Sequence, residues 1–224
     1  MSTPEITSAH QDYLKTIYML LSRGQEASNS AIAQALGVAP ASATNMVKRL
    51  AEAGLIEHVP YRGVQLTPAG QQVALEMVRH HRLIELFLHD VLEMSWDQVH
   101  VEAERLEHAI SEEVEEAIAR KLGYPTFDPH GDPIPDRHGR LAAADAGLPL
   151  TALEPGCPAR LARVHAQDGE RLRYLGELGL YPGAQVTVLE RAPFRGPLLV
   201  AVNGMSHMLA FDLAAELSVE MNHA

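Results

Sequence analysis

The chain has 224 residues, with 18 Lys and Arg against 29 Asp and Glu, a formal net charge of −11; this length suits one to three compact units with a sizeable core. Its 46% hydrophobic and 21% charged content excludes wholesale disorder, a single cysteine excludes a disulfide framework or a Cys-rich zinc module, and no apolar run approaches the roughly 20 residues that span a bilayer. An acid excess of this size argues against a nucleic-acid partner, and twelve histidines turn the first expectation toward metal.

The opening MSTPEITSAHQDYLK has no basic stretch followed by an apolar one, so a reduced, cytoplasmic setting without membrane contact is expected. Residues 8–22 place Tyr13, Leu14, Ile17, Tyr18 and Leu21 at the spacing of an amphipathic helix. Ser28-Asn29-Ser30 starts a second helix that Gly37 stops, and Pro40 opens a third, with Ser42 as its cap and Gly54 as its end. Ala43, Met46, Val47 and Leu50 give this third helix its apolar face, and Met19 and Met46 read as core residues. Two short helices joined through a glycine read as helix-turn-helix. Leu55-Ile56 and Val64-Leu66 then alternate around a Pro60-Tyr61-Arg62-Gly63 turn as a hairpin wing. Thr67-Pro68 caps the next helix, with proline in its first position.

In such a unit the second short helix enters the major groove. Ser42, Thr44, Asn45, Lys48 and Arg49 are its outward residues, and Arg62 sits in the wing. Asn suits adenine, Ser and Thr suit bases or phosphates, and the basic side chains suit phosphates. The rival is a helical bundle with a solvated polar face; the wing favours DNA. The charge is also uneven: residues 1–75 are neutral overall, residues 76–130 carry −8 and residues 131–224 carry −3.

Residues 67 to about 92 read as one long helix, or a helix with a kink, carrying His80, His81, Glu85 and His89, and 96 to about 122 as a second one. On that second helix His100, Glu104, Glu107 and His108 fall on one face about 100° wide. The stripe is too long for one ion, so two sites are expected. One joins His100 to His81 and Glu85; the other joins Glu104, Glu107 and His108 to an outside ligand, for which Asp12 is the best candidate. Carboxylates with one imidazole suit Mn²⁺ or Fe²⁺. Salt bridging of the Glu104–His108 group to Arg105 or Arg82 is the rival. Glu112, Glu113, Glu115 and Glu116 read as a solvated run, and His80 and His89 as surface residues. Val99, Leu106, Ile110, Val114 and Ile118 supply a second, apolar face for a core or a two-fold interface.

Four stretches carry a family resemblance: DYLKTIYML at 12–20, the helix Ser42 to Leu50 with its wing, HHRLIELFL at 80–88 and VHVEAERLEH at 99–108. Over essentially its whole length the chain resembles the iron- and manganese-dependent repressors of the diphtheria-toxin-repressor and manganese-transport-regulator family. The resemblance implies a primary metal site at Asp12, Glu104, Glu107 and His108, and an ancillary one at His81, Glu85 and His100. Aspartate and glutamate at positions 12 and 104 are the manganese-sensing pair, where the iron-sensing branch has methionine and cysteine. Short manganese regulators carry a glutamate where this chain has Lys15, so their binuclear arrangement is not expected here.

Residues 125–150 are rich in Pro and Gly and read as a linker ordered near its start; Asp128-Pro129-His130 resembles a point where some manganese-sensing members place ancillary ligands, and the resemblance makes Asp128 and His130 candidates. Residues 151–224 alternate as short strands, ARLARV, AQVTVLE, PLLVAV, HMLAF and LSVEM, and resemble the small SH3-like barrel of FeoA-type domains. Asp168 or Glu170 is a candidate ligand donated from there.

The expected fold is therefore α+β. A winged helix-turn-helix covers residues 1–72, a helical metal-binding and dimerisation domain 73–124, a linker 125–150 and an SH3-like β-barrel 151–224. The expected function is a Mn²⁺-dependent homodimeric repressor of metal-uptake genes acting on palindromic operator DNA, with Fe²⁺ as the alternative metal and further divalent ions able to substitute in vitro. It is not expected to be an enzyme. A carboxylate/His metalloenzyme and a metal-independent helix-turn-helix regulator are the alternatives, and no HExxH, nucleophile elbow or phosphate loop supports the first. On this reading the acidity of residues 76–130 disfavours DNA until bound cations partly neutralise it.

Overall fold

The computed structural model describes residues 6–59, 62–142, 147–166 and 168–221. Two compact units divide the chain. One holds the residues up to His80 with 107–109 and 135–140, and the other holds 81–106, 110–134 and 141 onward.

In the first unit α1 (Ser8–Ser22) buries Tyr13, Leu14 and Ile17, as its apolar spacing predicts. α2 (Asn29–Leu36) starts where the Ser28 hydroxyl accepts the Ala31 N–H, and it stops at Gly37, whose φ of +63° suits glycine. α3 (Pro40–Glu52) has proline in its first turn and no side-chain cap, so Ser42 lies inside the helix instead of capping it. Proline needs no N–H partner there and supplies the helical φ, which makes a capping hydroxyl dispensable. Leu14, Ile17, Ile32, Val47, Leu50, Ile56 and Val64 form one core under these helices and the hairpin. β1 (Ile56–Val59) pairs antiparallel with β2 (Gly63–Leu66), with Ile56 opposite Leu66 and Val59 opposite Gly63. Of the expected wing turn, Pro60 and Tyr61 lie outside the described residues.

The hydroxyl of Thr67 accepts the Gly70 N–H at 3.2 Å, capping α4 (Pro68–Asp90), and donates to the Gly54 carbonyl at 2.8 Å. A Cβ on Gly70 would stand 1.9 Å from the Leu55 carbonyl oxygen. Gly70→Ala is therefore expected to cost about 1–3 kcal/mol, because helix and hairpin must separate to admit a methyl group. Urea unfolding of the purified variant checks this; an unchanged midpoint would show that the junction gives way freely.

In the second unit the expected single helix from 96 to about 122 is two helices, α5 (Val99–Leu106) and α6 (Glu112–Lys121). The break comes because the Ser111 hydroxyl accepts the Val114 N–H and starts a new helix. Its consequence is that the 100° projection holds only as far as Leu106. The supposed continuous apolar face divides with it: Val99 is buried, whereas Leu106 and Val114 are 40% and 46% exposed. The acidic run is not wholly solvated either, since Glu115 shares the buried face of α6 with Ala119, four residues on.

Residues 125–134 form no regular element, yet Asp128, His130, Asp132 and Ile134 are buried. Asp128 Oδ1 accepts the His130 and Asp132 N–H groups at 2.9 and 2.8 Å, and Arg82 donates to the Pro133 carbonyl at 2.5 Å. The Val164 N–H donates to the His130 carbonyl at 2.9 Å.

Beyond this segment the strands are β3 (Leu148–Pro149), β4 (Pro158–Val164), β5 (Gln185–Arg191), β6 (Leu198–Val202), β7 (Met205–Leu209) and β8 (Leu217–Met221). They form one antiparallel sheet in the order β3-β8-β4-β5-β6-β7, open at β3 and β7 and so not a closed barrel ladder. Alternation drives it: Leu198, Val200 and Val202 face a core shared with Leu161, Val188 and Val219. α7 (Gly169–Glu177) and α8 (Phe211–Ala214) were not expected. Asp168 caps α7, and Leu172 and Leu175 bury its inner face.

Candidate metal centres and DNA-reading surface

Asp12 lies on α1, and Glu107 and His108 lie in the turn after α5; their donor atoms come within 4.8 Å of one another. His108 Nε2 is 2.7 Å from Asp12 Oδ1 and 3.7 Å from Glu107 Oε1. Its Nδ1 is 3.0 Å from Gln11 Oε1, so Gln11, which the sequence did not single out, orients the ring. Glu107 is 1% exposed, and Lys15 Nζ donates to both its oxygens at 2.6 and 2.9 Å. The ion-pairing rival thus had the right chemistry for Glu107 but a different cation: Arg105 pairs with Glu102, and Arg82 with Asp128 and Asp132. His80, expected at the surface, is buried with Nδ1 3.3 Å from the Glu107 carbonyl. Burial follows from the 107–109 turn folding over α4, a contact that helical periodicity does not encode.

The second unit holds His81 and Glu85 on α4 and His100 on α5. His81 Nε2, His100 Nδ1 and Glu85 Oε1 form a nearly equilateral triangle with sides of 3.0, 3.0 and 2.9 Å. Three ligands on one face of an octahedral ion, each about 2.1 Å away, stand about 3.0 Å apart, so the triangle has the dimensions of such a face. Glu104 Oε1 is 3.7 Å from His81 Nδ1 and 4.0 Å from His100 Nε2. Burial pushes the Glu85 carboxyl up. The His81 charge, hydrogen bonds to His100 and His81 and the His130 charge outweigh it and hold Glu85 well below the ordinary carboxylate range.

Asp128 and His130 approach the same glutamate from the segment after α6, and the donor atoms of Glu85, Asp128 and His130 lie within 4.8 Å of one another. Burial, then the Asp132 and Glu85 charges, push the Asp128 carboxyl well above its usual range, and Arg82 only partly offsets them. Asp168 accepts the Glu170 and Arg171 N–H groups as the cap of α7, and Glu170 is exposed.

On α3 the side chains of Ser42, Thr44, Asn45, Lys48 and Arg49 are all exposed, as is Arg62 in the wing. Thr44 donates to the Pro40 carbonyl at 3.0 Å and accepts from Asn29 at 3.3 Å, so α2 braces the reading helix. Lys48 is only loosely paired with Glu52, at 4.0 Å.

Three family descriptions match the chain in succession. "Iron dependent repressor, N-terminal DNA binding domain" covers residues 5–64, "Iron dependent repressor, metal binding and dimerisation domain" covers 67–136, and "FeoA domain" covers 148–221. The iron-dependent repressor IdeR of Mycobacterium tuberculosis is 34% identical over 227 residues, 96% of this chain and 98% of that protein. The diphtheria toxin repressor of Corynebacterium efficiens is 30% identical, over 96% of each. Among solved structures, a manganese-dependent transcriptional repressor in complex with manganese superposes with a TM-score of 0.88 at 38% identity, covering 95% of this chain and 99% of that one. The manganese regulator SloR superposes at 0.78 with 32% identity, covering 95% and 98%.

The acid excess that argued against nucleic acid is therefore a misleading average, since the unit with the reading helix carries almost none of it. No helix among the described residues is long and apolar enough to cross a membrane. With a winged reading head, hard-donor clusters on the following helices and kinship along nearly its whole length, the chain belongs to the iron-dependent repressor family, a family of metal-dependent, DNA-binding transcriptional repressors and not of enzymes.

Proposed function

We propose that this repressor senses Mn²⁺, with Fe²⁺ as the weaker activator, and acts in the cytoplasm as a homodimer on palindromic operators of metal-uptake genes. The carrying observation is the chemistry of the Asp12, Glu107 and His108 cluster, two carboxylates and an imidazole, which suits a hard to borderline ion. Glu104, the fourth donor expected from the sequence, has its carboxylate beside His81 and His100 in the second unit. His81, Glu85 and His100 are the ancillary set, with Asp128 and His130 beside it. Asp168, engaged as a helix cap, and exposed Glu170 fall outside it.

A bound divalent ion supplies positive charge shared among the carboxylates. With such an ion held by Asp12, Glu107 and His108, α1 would be tied to the turn at 107–109, and Glu107 would share the ion in place of its contact with Lys15. α1 underlies the reading helix through Leu14 and Ile17. Fixing α1 therefore fixes α3 against the turn at 107–109. Two reading helices held about 34–36 Å apart fit half-sites one turn apart.

The test is an anisotropy titration on DNA selected from a random pool with Mn²⁺ present, repeated with anaerobic Fe²⁺ and with Zn²⁺. Mn²⁺ is expected to tighten binding by about 5–150-fold or more, the range of ordinary allosteric coupling. DNA binding indifferent to metal would sink the sensor reading, and stronger activation by Fe²⁺ would sink the choice of metal.

A further inference from the structure

We propose that Asn29 sets the base preference of the reading helix: it pins the Thr44 hydroxyl so that Thr44 presents its methyl group, and that methyl recognises a thymine in each half-site. This rests on the reading above, that α3 is the helix that reads the operator.

Thr44 is an exposed residue of α3, yet its hydroxyl is turned back onto the protein. Oγ1 donates to the Pro40 carbonyl, one turn back, at 3.0 Å and accepts from Asn29 Nδ2 at 3.3 Å. A hydroxyl has one proton and two lone pairs, so the proton and one lone pair are already committed. No proton is left for N7 or O6 of guanine, N7 of adenine or O4 of thymine, the acceptors that line the major groove. With Oγ1 directed at α2 and at the preceding turn, Cγ2 is the branch left on the exposed surface. The C5 methyl of thymine is the apolar group that a base offers in that groove.

Asn29 is what makes the arrangement single. In a helix threonine divides between two rotamers, because its hydroxyl can bond a carbonyl of the preceding turn. The bond to Pro40 alone therefore leaves the direction of the methyl open, and a second bond from a neighbouring helix selects one direction. The donor itself is held in place. Asn29 is the first residue of α2, the Ser28 hydroxyl caps that helix at the Ala31 N–H, and Ile32 and Ala33 of α2 share a core with Ala43 and Val47 of α3. Helix stability does not explain the pair, since a threonine bond to the carbonyl four residues back slightly destabilises a helix.

The neighbours lack such restraint. Among the described residues the side chains of Ser42 and Asn45 make no hydrogen bond, so each can turn a donor or an acceptor to the base it meets. Lys48 and Arg49 suit phosphates, which carry no sequence information. Thr44 is the residue of this surface whose chemistry is fixed before DNA arrives.

The experiment uses full-length, Mn²⁺-loaded protein and the operator selected from a random pool. Anisotropy compares that operator with copies in which thymines are replaced by deoxyuridine, which removes only the C5 methyl. The proteins are the wild type, Thr44→Ser, Asn29→Ala, the double variant Asn29→Ala with Thr44→Val, and Arg49→Ala, each checked for folding by circular dichroism. For the wild type, one thymine per half-site is expected to lose about 4-fold in affinity on replacement, the worth of one buried methyl group, and about 15-fold when both are replaced. Thr44→Ser should bring that ratio to about one, and Asn29→Ala, which lets the side chain divide between its rotamers, to about 6-fold for both halves. The double variant should restore the full ratio, because valine holds one rotamer in a helix without help. A variant that only disturbed the fold would weaken both DNAs alike and leave the ratio unchanged. The absence of any methyl-sensitive thymine in the wild type, a full ratio in either single variant, or no restoration in the double variant would overturn the proposal. Undiminished affinity of Arg49→Ala, together with an unchanged ratio in Thr44→Ser, would instead overturn the reading on which the proposal rests.

Discussion

Replacing Glu107 by glutamine is expected to raise the Mn²⁺ concentration needed for DNA binding by about 100-fold or more, beyond the 10–100-fold typical of losing a group that merely supports a ligand. Glu107 is nearly inaccessible to solvent, lies within reach of Asp12 and His108, and has both oxygens held by Lys15. Glutamine keeps the shape and can still accept from Lys15, but it offers no negative charge to a cation. Alanine would be the poorer choice: removing one partner of a buried ion pair costs several kcal/mol of stability, which would mix unfolding with lost metal affinity. Anisotropy titrations at fixed ionic strength check the prediction. If Glu107→Gln responds at the wild-type Mn²⁺ concentration, the cluster at Asp12 is not the sensor.

Substituting Gly131 by alanine is expected to destabilise the second unit by about 3 kcal/mol and to weaken Mn²⁺ binding there. Gly131 has φ of +83°, and a Cβ would stand 2.1 Å from the Ala162 carbonyl oxygen and 3.0 Å from Arg163 Cα. Backbone strain and overpacking each contribute about 1–3 kcal/mol at such a position. The segment would have to lift from β4, losing the hydrogen bond from Val164 to the His130 carbonyl and carrying Asp128 and His130 away from Glu85. Urea unfolding followed by far-UV circular dichroism measures the first effect and calorimetric Mn²⁺ titration the second. Wild-type stability would mean that the close approach to Ala162 is readily relaxed.

These two substitutions differ in what announces them. Glu107 stands out in the sequence through Glu104-x-x-Glu107-His108. Gly131 looks like any glycine in a Pro/Gly-rich linker, and nothing local says that residues 128–134 are buried. The same divide runs through the fold. Ser28, Gly37, Pro40 and Thr67-Pro68 mark helix ends through contacts within four residues, so α1 to α4 and the hairpin were legible. The break between α5 and α6 was missed because the apolar and acidic spacing continues across it, while a single hydroxyl, that of Ser111, decides it. α7 was missed because Asp168 and Glu170 looked like ligands, when Asp168 is the cap that starts the helix.

By itself the sequence determined the neutral reading head, the acidic middle and the kinds of donor available, since charge and residue chemistry do not depend on the fold. It also determined the short-range elements, because caps and periodicity act over a few residues. Only the tertiary structure decided which donors meet. Lys15 reaches Glu107 across 92 positions. His130 is turned toward Glu85 by the Trp96 carbonyl, 34 positions away. Such pairings are set by how packed segments exclude water from one another, which no local pattern records. The −11 is the same number before and after folding, but the fold gathers part of it into buried clusters where a cation is the natural complement.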